Sequence, residues 1–191
     1  MTLKLEITFH DYWHTGSGLT GGTYADQLVN KTRDGFPVVP GKTIKGLLRH
    51  AAQDLHQLDS ERISDTFIKE IFGESPSEQK EKKQEKTIVG SCFFTNAELD
   101  PATRTAINET QKPALYEVLA STKINEQGTA EDGSLRQMEV TIPLTLSACI
   151  HGFPKEGAYL QMMYDCAAFI KRLGQNRHRG LGRCTFKISH K

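Results

Sequence analysis

The apolar residues that follow Pro40-Gly41 constrain the fold of this chain most. They recur at the spacing of one helix face, and Thr43 stands where it would cap the N-terminus. The residues of this face are Ile44, Leu47, Leu48, Ala51, Ala52 and Leu55. The segment therefore predicts an amphipathic helix that begins just after Gly41.

Four other segments have the patterns of β-strands. Residues 3–9 and 184–188 alternate apolar with other side chains, which predicts half-buried strands. Residues 88–94 are almost continuously apolar, which predicts a strand buried on both faces. Residues 138–146 alternate as a third strand, although Pro143 requires an edge position or a bulge.

The segments between these strands differ in character. Residues 60–72 predict a second helix, and residues 159–173 carry the apolar stripe of another. Residues 75–86 are charged and lack apolar side chains up to Lys86, which predicts an exposed or disordered linker. Residues 100–137 show no sustained period, so we expect a loop or a long hairpin there.

Without the insertions, the element order is strand, helix, strand, strand, helix, strand. This order predicts an α+β fold with a ferredoxin-like (RRM-like) βαββαβ core, in which an antiparallel sheet carries both helices on one face. We expect one domain over residues 1–191, with insertions at about 10–42, 59–86 and 100–137. The glycine-rich loop after the first strand and the basic loop before the last one would then lie near each other.

Positive charge is concentrated in two places, at Lys42, Lys45 and Arg49 and in residues 171–191, although the net charge is only +1. The last 21 residues contain no acidic residue, and they include the segment from Asn176 to Arg183 with its interleaved glycines. Glycines let a phosphate approach the backbone, and arginines bind it through two parallel hydrogen bonds. The loop predicts a nucleic-acid backbone site, unless its glycines only make a turn and its arginines only face solvent. The candidate phosphate-binding residues are Lys42, Lys45, Arg49, Arg177, Arg179, Gly180, Gly182 and Arg183.

Three other motifs argue against particular kinds of site. The stretch from Pro40 to Thr43 resembles the end of a phosphate-binding P-loop, but Phe36 occupies the place of the required first glycine. His10 and His14 have metal-ligand spacing only on a helix, which a strand end followed by a glycine loop does not provide. The four cysteines form no CxxC pair, so we expect buried, reduced thiols.

We expect a cytoplasmic protein. No apolar run is long enough to span a bilayer, and the N-terminal residues do not have the pattern of a signal peptide.

Asp26 is the candidate catalytic residue. A loop carboxylate beside a phosphodiester can recruit Mg²⁺ or orient an attacking hydroxyl group. Surface aspartates in turns are common, so chemistry alone favours an ordinary surface residue at Asp26 over a catalytic one.

Several segments together resemble the RAMP superfamily of CRISPR-associated proteins. They are Thr15-Gly16-Ser17-Gly18, then Asp26, then the run from Asp34-Gly35-Phe36-Pro37 through Pro40-Gly41-Lys42-Thr43-Ile44-Lys45-Gly46 to Arg49, then Ile71-Phe72-Gly73, then Arg179-Gly180-Leu181-Gly182-Arg183. Within this superfamily the chain looks most like the Cas7-type backbone subunits of type III effector complexes, the Csm-three-like and Cmr-four-like group.

The resemblance implies a function and a set of partners. Such a subunit binds guide crRNA, and residues 100–137 would form its thumb hairpin. Asp26 would cleave complementary target RNA with Mg²⁺ or another divalent cation, and would itself be the metal ligand. The implied protein partners are Cas10, Cas5-like, Cas11-like and neighbouring Cas7-like subunits, with no membrane.

Two alternatives stay open. The chain could be a non-catalytic structural protomer of the same complex, with Asp26 an ordinary loop residue. It could also be a Cas6-like endonuclease that processes guide RNA without metal, in which case His10, His14 or His178 would matter.

Overall fold

The computed structural model describes residues 1–74 and 89–190. Its elements in chain order are β1 (Leu3–Phe9), α1 (Gly41–Leu58), α2 (Asp65–Phe72), β2 (Phe93–Phe94), α3 (Pro101–Ala106), a 3₁₀ turn (Lys112–Leu115), β3 (Tyr116–Ser121), β4 (Arg136–Thr141), β5 (Thr145–His151), α4 (Gly157–Phe169) and β6 (Cys184–His190). The predicted mixed α/β character is therefore confirmed, and β1 and β6 lie where the sequence places them.

The main sheet has the strand order β2-β5-β1-β6, and its neighbouring strands are antiparallel. In the centre of the sheet, Leu5 lies opposite Ala148 of β5 on one side and Ile188 of β6 on the other. The first and last segments of the chain are thus adjacent strands. The loops that follow β1 and precede β6 consequently leave the sheet at the same end.

One face of this sheet is the core face. Along β1, residues 3, 5, 7 and 9 are buried while the residues between them are half-buried, as a strand with one covered face requires. Ile44 and Leu48 of α1 and Met163 and Cys166 of α4 belong to the same buried cluster. Both helices therefore cover this face of the sheet.

The predicted third strand is in fact two strands that belong to different sheets. Strand β4 ends at Thr141 and β5 begins at Thr145, and Pro143 lies between them. Proline cannot donate a ladder hydrogen bond, so the strand pairing ends there. The alternation of apolar and polar residues nevertheless continues from β4 into β5. Strand β4 pairs with β3 in a two-stranded hairpin, and β5 pairs with β1 and β2 in the main sheet.

Three further predictions are corrected. Strand β2 is only two residues long, and Phe93 is 67% exposed, so this strand is not buried on both faces. Thr43 does not cap α1, because it lies inside the helix and Pro40 holds the N-cap position; the amide of Gly41 donates to Asn96 Oδ1 at 2.9 Å. The second helix begins at Asp65, where the Ser64 side chain accepts from the amide of Phe67.

The α1 N-terminus shows why the resemblance to a P-loop fails. A Cβ at Gly41 would lie 2.1 Å from the carbonyl oxygen of Phe94. Glycine is needed there so that the helix can pack against the end of β2, and the helix end is occupied by the chain's own groups.

The cysteines are free thiols, as predicted. Burial raises the pKa of Cys166 and of Cys184 to about 12, so both thiols stay protonated at neutral pH. Cys149 differs from the prediction because it is only half-buried, on the other face of β5.

The predicted linker at 75–86 lies outside the described residues. Within residues 1–74 and 89–190, no helix combines the length and the apolar character needed to cross a membrane.

Candidate nucleic-acid interface

The loop after β1 and the loop before β6 are joined by backbone hydrogen bonds. The amide of Gln175 donates to the carbonyl of His14 at 2.9 Å, and the amide of Gly182 donates to the carbonyl of Tyr12 at 2.8 Å. Near the sheet, the amide of His10 donates to the carbonyl of Arg183 at 2.8 Å. The two chain-distant glycine-containing loops thus form one surface, as the strand order requires.

Gly180 and Gly182 of the C-terminal loop have different structural roles. Gly182 has φ +71°, and a Cβ there would lie 2.0 Å from the carbonyl oxygen of Leu173. Gly180 has φ +90°, but a Cβ there would meet no atom of the described residues within 4 Å. The close backbone approach at Gly182 is therefore to the chain itself, whereas no described atom crowds the Cβ position of Gly180.

Three adjoining cavities form a groove along this surface. The middle cavity, of about 370 Å³, lies between the loop after β1, helix α1 and the C-terminal loop. It shares Leu47, His50 and Arg177 with a cavity of about 390 Å³ toward Lys171 and the end of α4. It shares Gln175 with a cavity of about 720 Å³ at the β3–β4 hairpin. We call these three cavities together the groove.

The groove brings together some of the predicted site residues. Asp26 and Arg179 line its hairpin end together, and Arg177 lines its other two cavities. Both arginines are exposed, so their guanidinium groups are available to a polyanion.

Helix α1 turns the other predicted basic residues away from the middle of the groove. At about 100° per residue, Lys42, Lys45 and Arg49 share one helix face, while Thr43, Leu47 and His50 line the middle cavity. Arg49 lines a further cavity, of about 600 Å³, on the α2 side, which adjoins the groove at His50 and Asp54. Lys45 lies near Cys92. Burial raises the pKa of Cys92, and the charge of Lys45 offsets part of that rise.

Arg183 has a partner of its own. Its Nε lies 3.3 Å from Asp11 Oδ2, and both side chains are partly exposed. An exposed pair of this kind contributes little to stability, so Arg183 can exchange Asp11 for a phosphate at small cost.

Asp26 is held against the hairpin. Its amide donates to the carbonyl of Gln137 at 2.8 Å, and the amide of Gln137 donates back to Asp26 Oδ2 at 2.7 Å. The next ladder contact joins the amide of Glu139 to the carbonyl of Gln27 at 2.9 Å. Asp26 is exposed and lines the hairpin cavity, and one of its two carboxylate oxygens is fixed by the bond to Gln137.

A buried carboxylate on β4 fixes this loop. The Glu139 side chain is 1% exposed; its Oε2 accepts from the amide of Val29 at 3.1 Å, and its Oε1 accepts from Lys31 Nζ at 2.7 Å. Lys31 Nζ also lies 3.9 Å from the centre of the Tyr116 ring on β3. Burial, and then the Glu139 charge, raise the pKa of Tyr116 well above its usual value. The phenol therefore stays protonated, and it donates to the carbonyl of Gly35 at 2.7 Å.

The donor set around Asp26 does not by itself make a complete metal site. Among the described residues, no three His, Cys, Asp or Glu side chains are grouped to hold an ion. Mg²⁺ in nucleic-acid enzymes is nevertheless often bound by one or two carboxylates plus substrate phosphates and water. Asp26, with one carboxylate oxygen committed to Gln137, fits only a site of that shared kind.

The three histidines of the metal-free alternative are dispersed. His10 lies at the sheet end, where its Nε2 is 2.8 Å from Thr185 Oγ1. His14 is buried, whereas His178 is exposed beside Arg177.

Sequence reasoning did not single out Glu139 or Gln175. Glu139 lies on the polar face of the predicted strand over residues 138–146, where a carboxylate gives no sign that it is buried in an ion pair. Gln175 carries no sign of its role either, because its place in the groove depends on the fold of both loops.

The family model described as the RAMP superfamily matches residues 6–185. No curated protein sequence matches the chain.

Solved structures share the fold. A chain of the cryo-EM structure of the type III-B Cmr-beta bound to cognate target RNA superposes with a TM-score of 0.68 at 11% identity, covering 98% of this chain and 97% of that one. A chain of the apo state of the type III-B Cmr-beta gives 0.67 at 10% identity, over 98% and 97% of the two chains. A chain of a type IV-B CRISPR complex gives 0.65 at 11% identity, over 99% and 90%.

Proposed function

The chain belongs to the RAMP superfamily, and we propose that it is a Cas7-type subunit of a type III CRISPR effector complex that binds guide RNA in the groove. The observation that carries this proposal is the groove itself, where Arg177 and Arg179 lie exposed along one continuous surface. A positively charged track of this kind binds phosphates with little regard to sequence. The type III-B neighbour bound to target RNA supports RNA as the ligand.

The finer description of the fold is part of the proposal. The strand order β2-β5-β1-β6, with α1 and α4 on one face, supports a ferredoxin-like βαββαβ core. The β3–β4 hairpin lies between the second and third core strands, and this position supports assigning it as the thumb. On this assignment residues 1–191 are one domain with insertions.

We assign target-RNA cleavage to Asp26. Asp26 lines the same cavity as Arg179 and the hairpin, where an RNA strand in the groove would pass. Bound there with a phosphate, a divalent cation would stabilise the charge that develops on the scissile group. The chain's own part is to orient the Asp26 carboxylate through the Gln137 amide and to hold the neighbouring phosphates with arginines.

The test is cleavage of guide-complementary RNA by the assembled complex. We expect specific cuts with wild type and Mg²⁺, and none with Asp26→Ala or with chelator, while RNA binding is retained. Asp11→Ala is the matched control, because that aspartate is also in the loop region but pairs with Arg183 outside the three cavities. Cutting that survives Asp26→Ala would place the nuclease elsewhere.

A structural protomer is the second candidate. Asp26 Oδ2 already accepts from the hairpin backbone, so the carboxylate has a purely structural use as well. In that case Asp26→Ala would loosen the hairpin and change guide binding without abolishing cuts made by the complex.

Both candidates keep the same partners. Guide crRNA and target RNA would lie in the groove, and Cas10, Cas5-like, Cas11-like and further Cas7-like subunits would contact other surfaces of the chain.

A further inference from the structure

His14 is buried in the wall of the groove with one ring nitrogen unpaired. The residue is 1% exposed, and its Nδ1 lies 2.6 Å from the carbonyl oxygen of Glu139. A carbonyl oxygen can only accept, so Nδ1 carries the hydrogen and Nε2 of the neutral ring is an acceptor. This Nε2 is buried and has no hydrogen-bond partner among the residues that the structure describes.

His14 lines the middle cavity, and its unpaired nitrogen lies next to Gly16. A Cβ at Gly16 would lie 3.1 Å from His14 Nε2 and 3.9 Å from Gln175 Cδ. Gly16 and Gln175 both line the same cavity of about 370 Å³. Because Gly16 has no side chain, the exposed side chain of Gln175 borders the space beside the buried Nε2.

The surrounding loop is already satisfied by its own contacts. Asn30 Nδ2 donates to the carbonyl of Gly16 at 2.7 Å, and the Asn30 amide donates to the carbonyl of Thr15 at 2.7 Å. Thr15 Oγ1 donates to the carbonyl of Val38 at 3.1 Å. Buried polar groups in folded proteins are nearly always paired, and Nε2 stands out against this fixed background.

We propose that His14 Nε2 accepts a hydrogen bond from a ribose 2′-hydroxyl of RNA bound in the groove, once the Gln175 side chain moves aside. The ligand that fits is a hydroxyl donor attached to a polyanion, because the same cavity is lined by Arg177. A phosphate oxygen can only accept, so it would need a second ring hydrogen on Nε2 in addition to the one on Nδ1. The inference rests on the proposed function, since it names the RNA group that the groove reads.

The site would distinguish RNA from DNA. The 2′-hydroxyl is the group by which proteins tell the two apart at a given position. A 2′-O-methyl group keeps the oxygen but has no hydrogen to donate, so it should behave as DNA does.

The experiment measures the affinity of the full chain for one labelled single-stranded RNA, the same sequence as DNA, and its 2′-O-methyl form. We expect wild type to bind the RNA about five- to tenfold more tightly than the other two, the worth of roughly one hydrogen bond. Gly16→Ala places a methyl group against Nε2, at a backbone position that is not left-handed. This variant should bind RNA only as tightly as DNA, with its DNA affinity unchanged.

Two further variants complete the design. Gly157→Ala, at the start of α4, adds a Cβ with no described atom within 4 Å, and it should leave all three affinities unchanged. Gln175→Ala removes the side chain beside Nε2 while keeping the backbone bond to His14, so it should widen the RNA-to-DNA ratio. The Gln175 variant also tests the inference should Gly16→Ala fail to fold.

The outcomes separate the two proposals. Equal affinity of wild type for RNA and DNA overturns this inference but leaves the groove a nucleic-acid site, whereas no binding of RNA overturns both. A Gly16→Ala variant that keeps the RNA preference, or that weakens RNA and DNA equally, overturns the ribose contact. An unchanged or narrowed ratio in Gln175→Ala also overturns it.

Discussion

Two walls of the groove are held in place by different physical means. The wall that carries Asp26 is fixed by side chains, with buried Glu139 bonded to Lys31 and to the backbone of Val29. The wall that carries Arg177 and Arg179 is fixed by backbone hydrogen bonds and left-handed glycines. On the first wall the buried charge maintains the fold, and on the second the charges are left for a ligand. Substitutions should therefore separate stability from binding according to the wall they alter.

The largest effect on stability is expected at Gly182. Gly182→Ala forces a side chain into a left-handed conformation and against the carbonyl of Leu173, which should cost about 3 kcal/mol of unfolding free energy. Gly180→Ala is the matched control, because it has the same backbone hand without the contact and should cost about 1 kcal/mol. Urea unfolding of both variants measures the difference. Equal losses would mean that backbone contact does not fix this wall.

The next largest effect is expected at Glu139. Glu139→Ala leaves the Val29 amide and the Lys31 ammonium without their carboxylate, and should cost about 2 kcal/mol because Lys31 is partly exposed and can turn to water. Glu131→Ala breaks the exposed pair with Lys123 near the hairpin tip and should cost less than about 0.5 kcal/mol. Thermal unfolding measures the melting temperature of both variants. Equal melting temperatures would contradict the structural role of Glu139.

Substitution of Arg179 should affect RNA binding and not stability. Arg179→Ala should change the unfolding free energy by less than about 0.5 kcal/mol, yet weaken RNA binding at low salt by about fivefold or more. Arg33→Ala removes an exposed arginine that lines a cavity outside the groove, and should leave the affinity unchanged. Fluorescence anisotropy with labelled RNA tests both. A similar loss in the two variants would mean that net charge, and not the groove, governs binding.

The smallest effect is expected on the outer face of α1. The double variant Lys45→Ala, Arg49→Ala should fold normally and weaken RNA binding by only about twofold, since this face is turned from the middle cavity. Anisotropy at the same salt concentration gives the comparison with Arg179→Ala. If the double variant loses as much affinity as Arg179→Ala, the RNA path runs along this face of α1 as well.

The core elements could be predicted from the sequence because their patterns are local. Strands β1 and β6 and helix α1 bury one face each, so their apolar periods match their structures. The split at Pro143 could not be predicted from period alone, because β4 and β5 keep one alternating pattern across two sheets. The 67% exposure of Phe93 likewise shows that an apolar run does not state how many of its faces are covered.

The candidate site was predictable only in part. Glycine and arginine spacing identified the C-terminal loop, and the resemblance to the RAMP superfamily, now confirmed, identified Asp26 as a candidate. The roles of Glu139 and His14 depend on contacts between segments more than a hundred residues apart, which no local pattern encodes.

The salt dependence of RNA binding tests the central claim most directly. We predict that log affinity falls linearly with log salt for wild type, and that the double variant Arg177→Ala, Arg179→Ala lowers the magnitude of the slope by about 1.4, the value for two lost contacts with a single strand. A double variant with the wild-type slope would contradict the assignment of the groove as the RNA-binding surface.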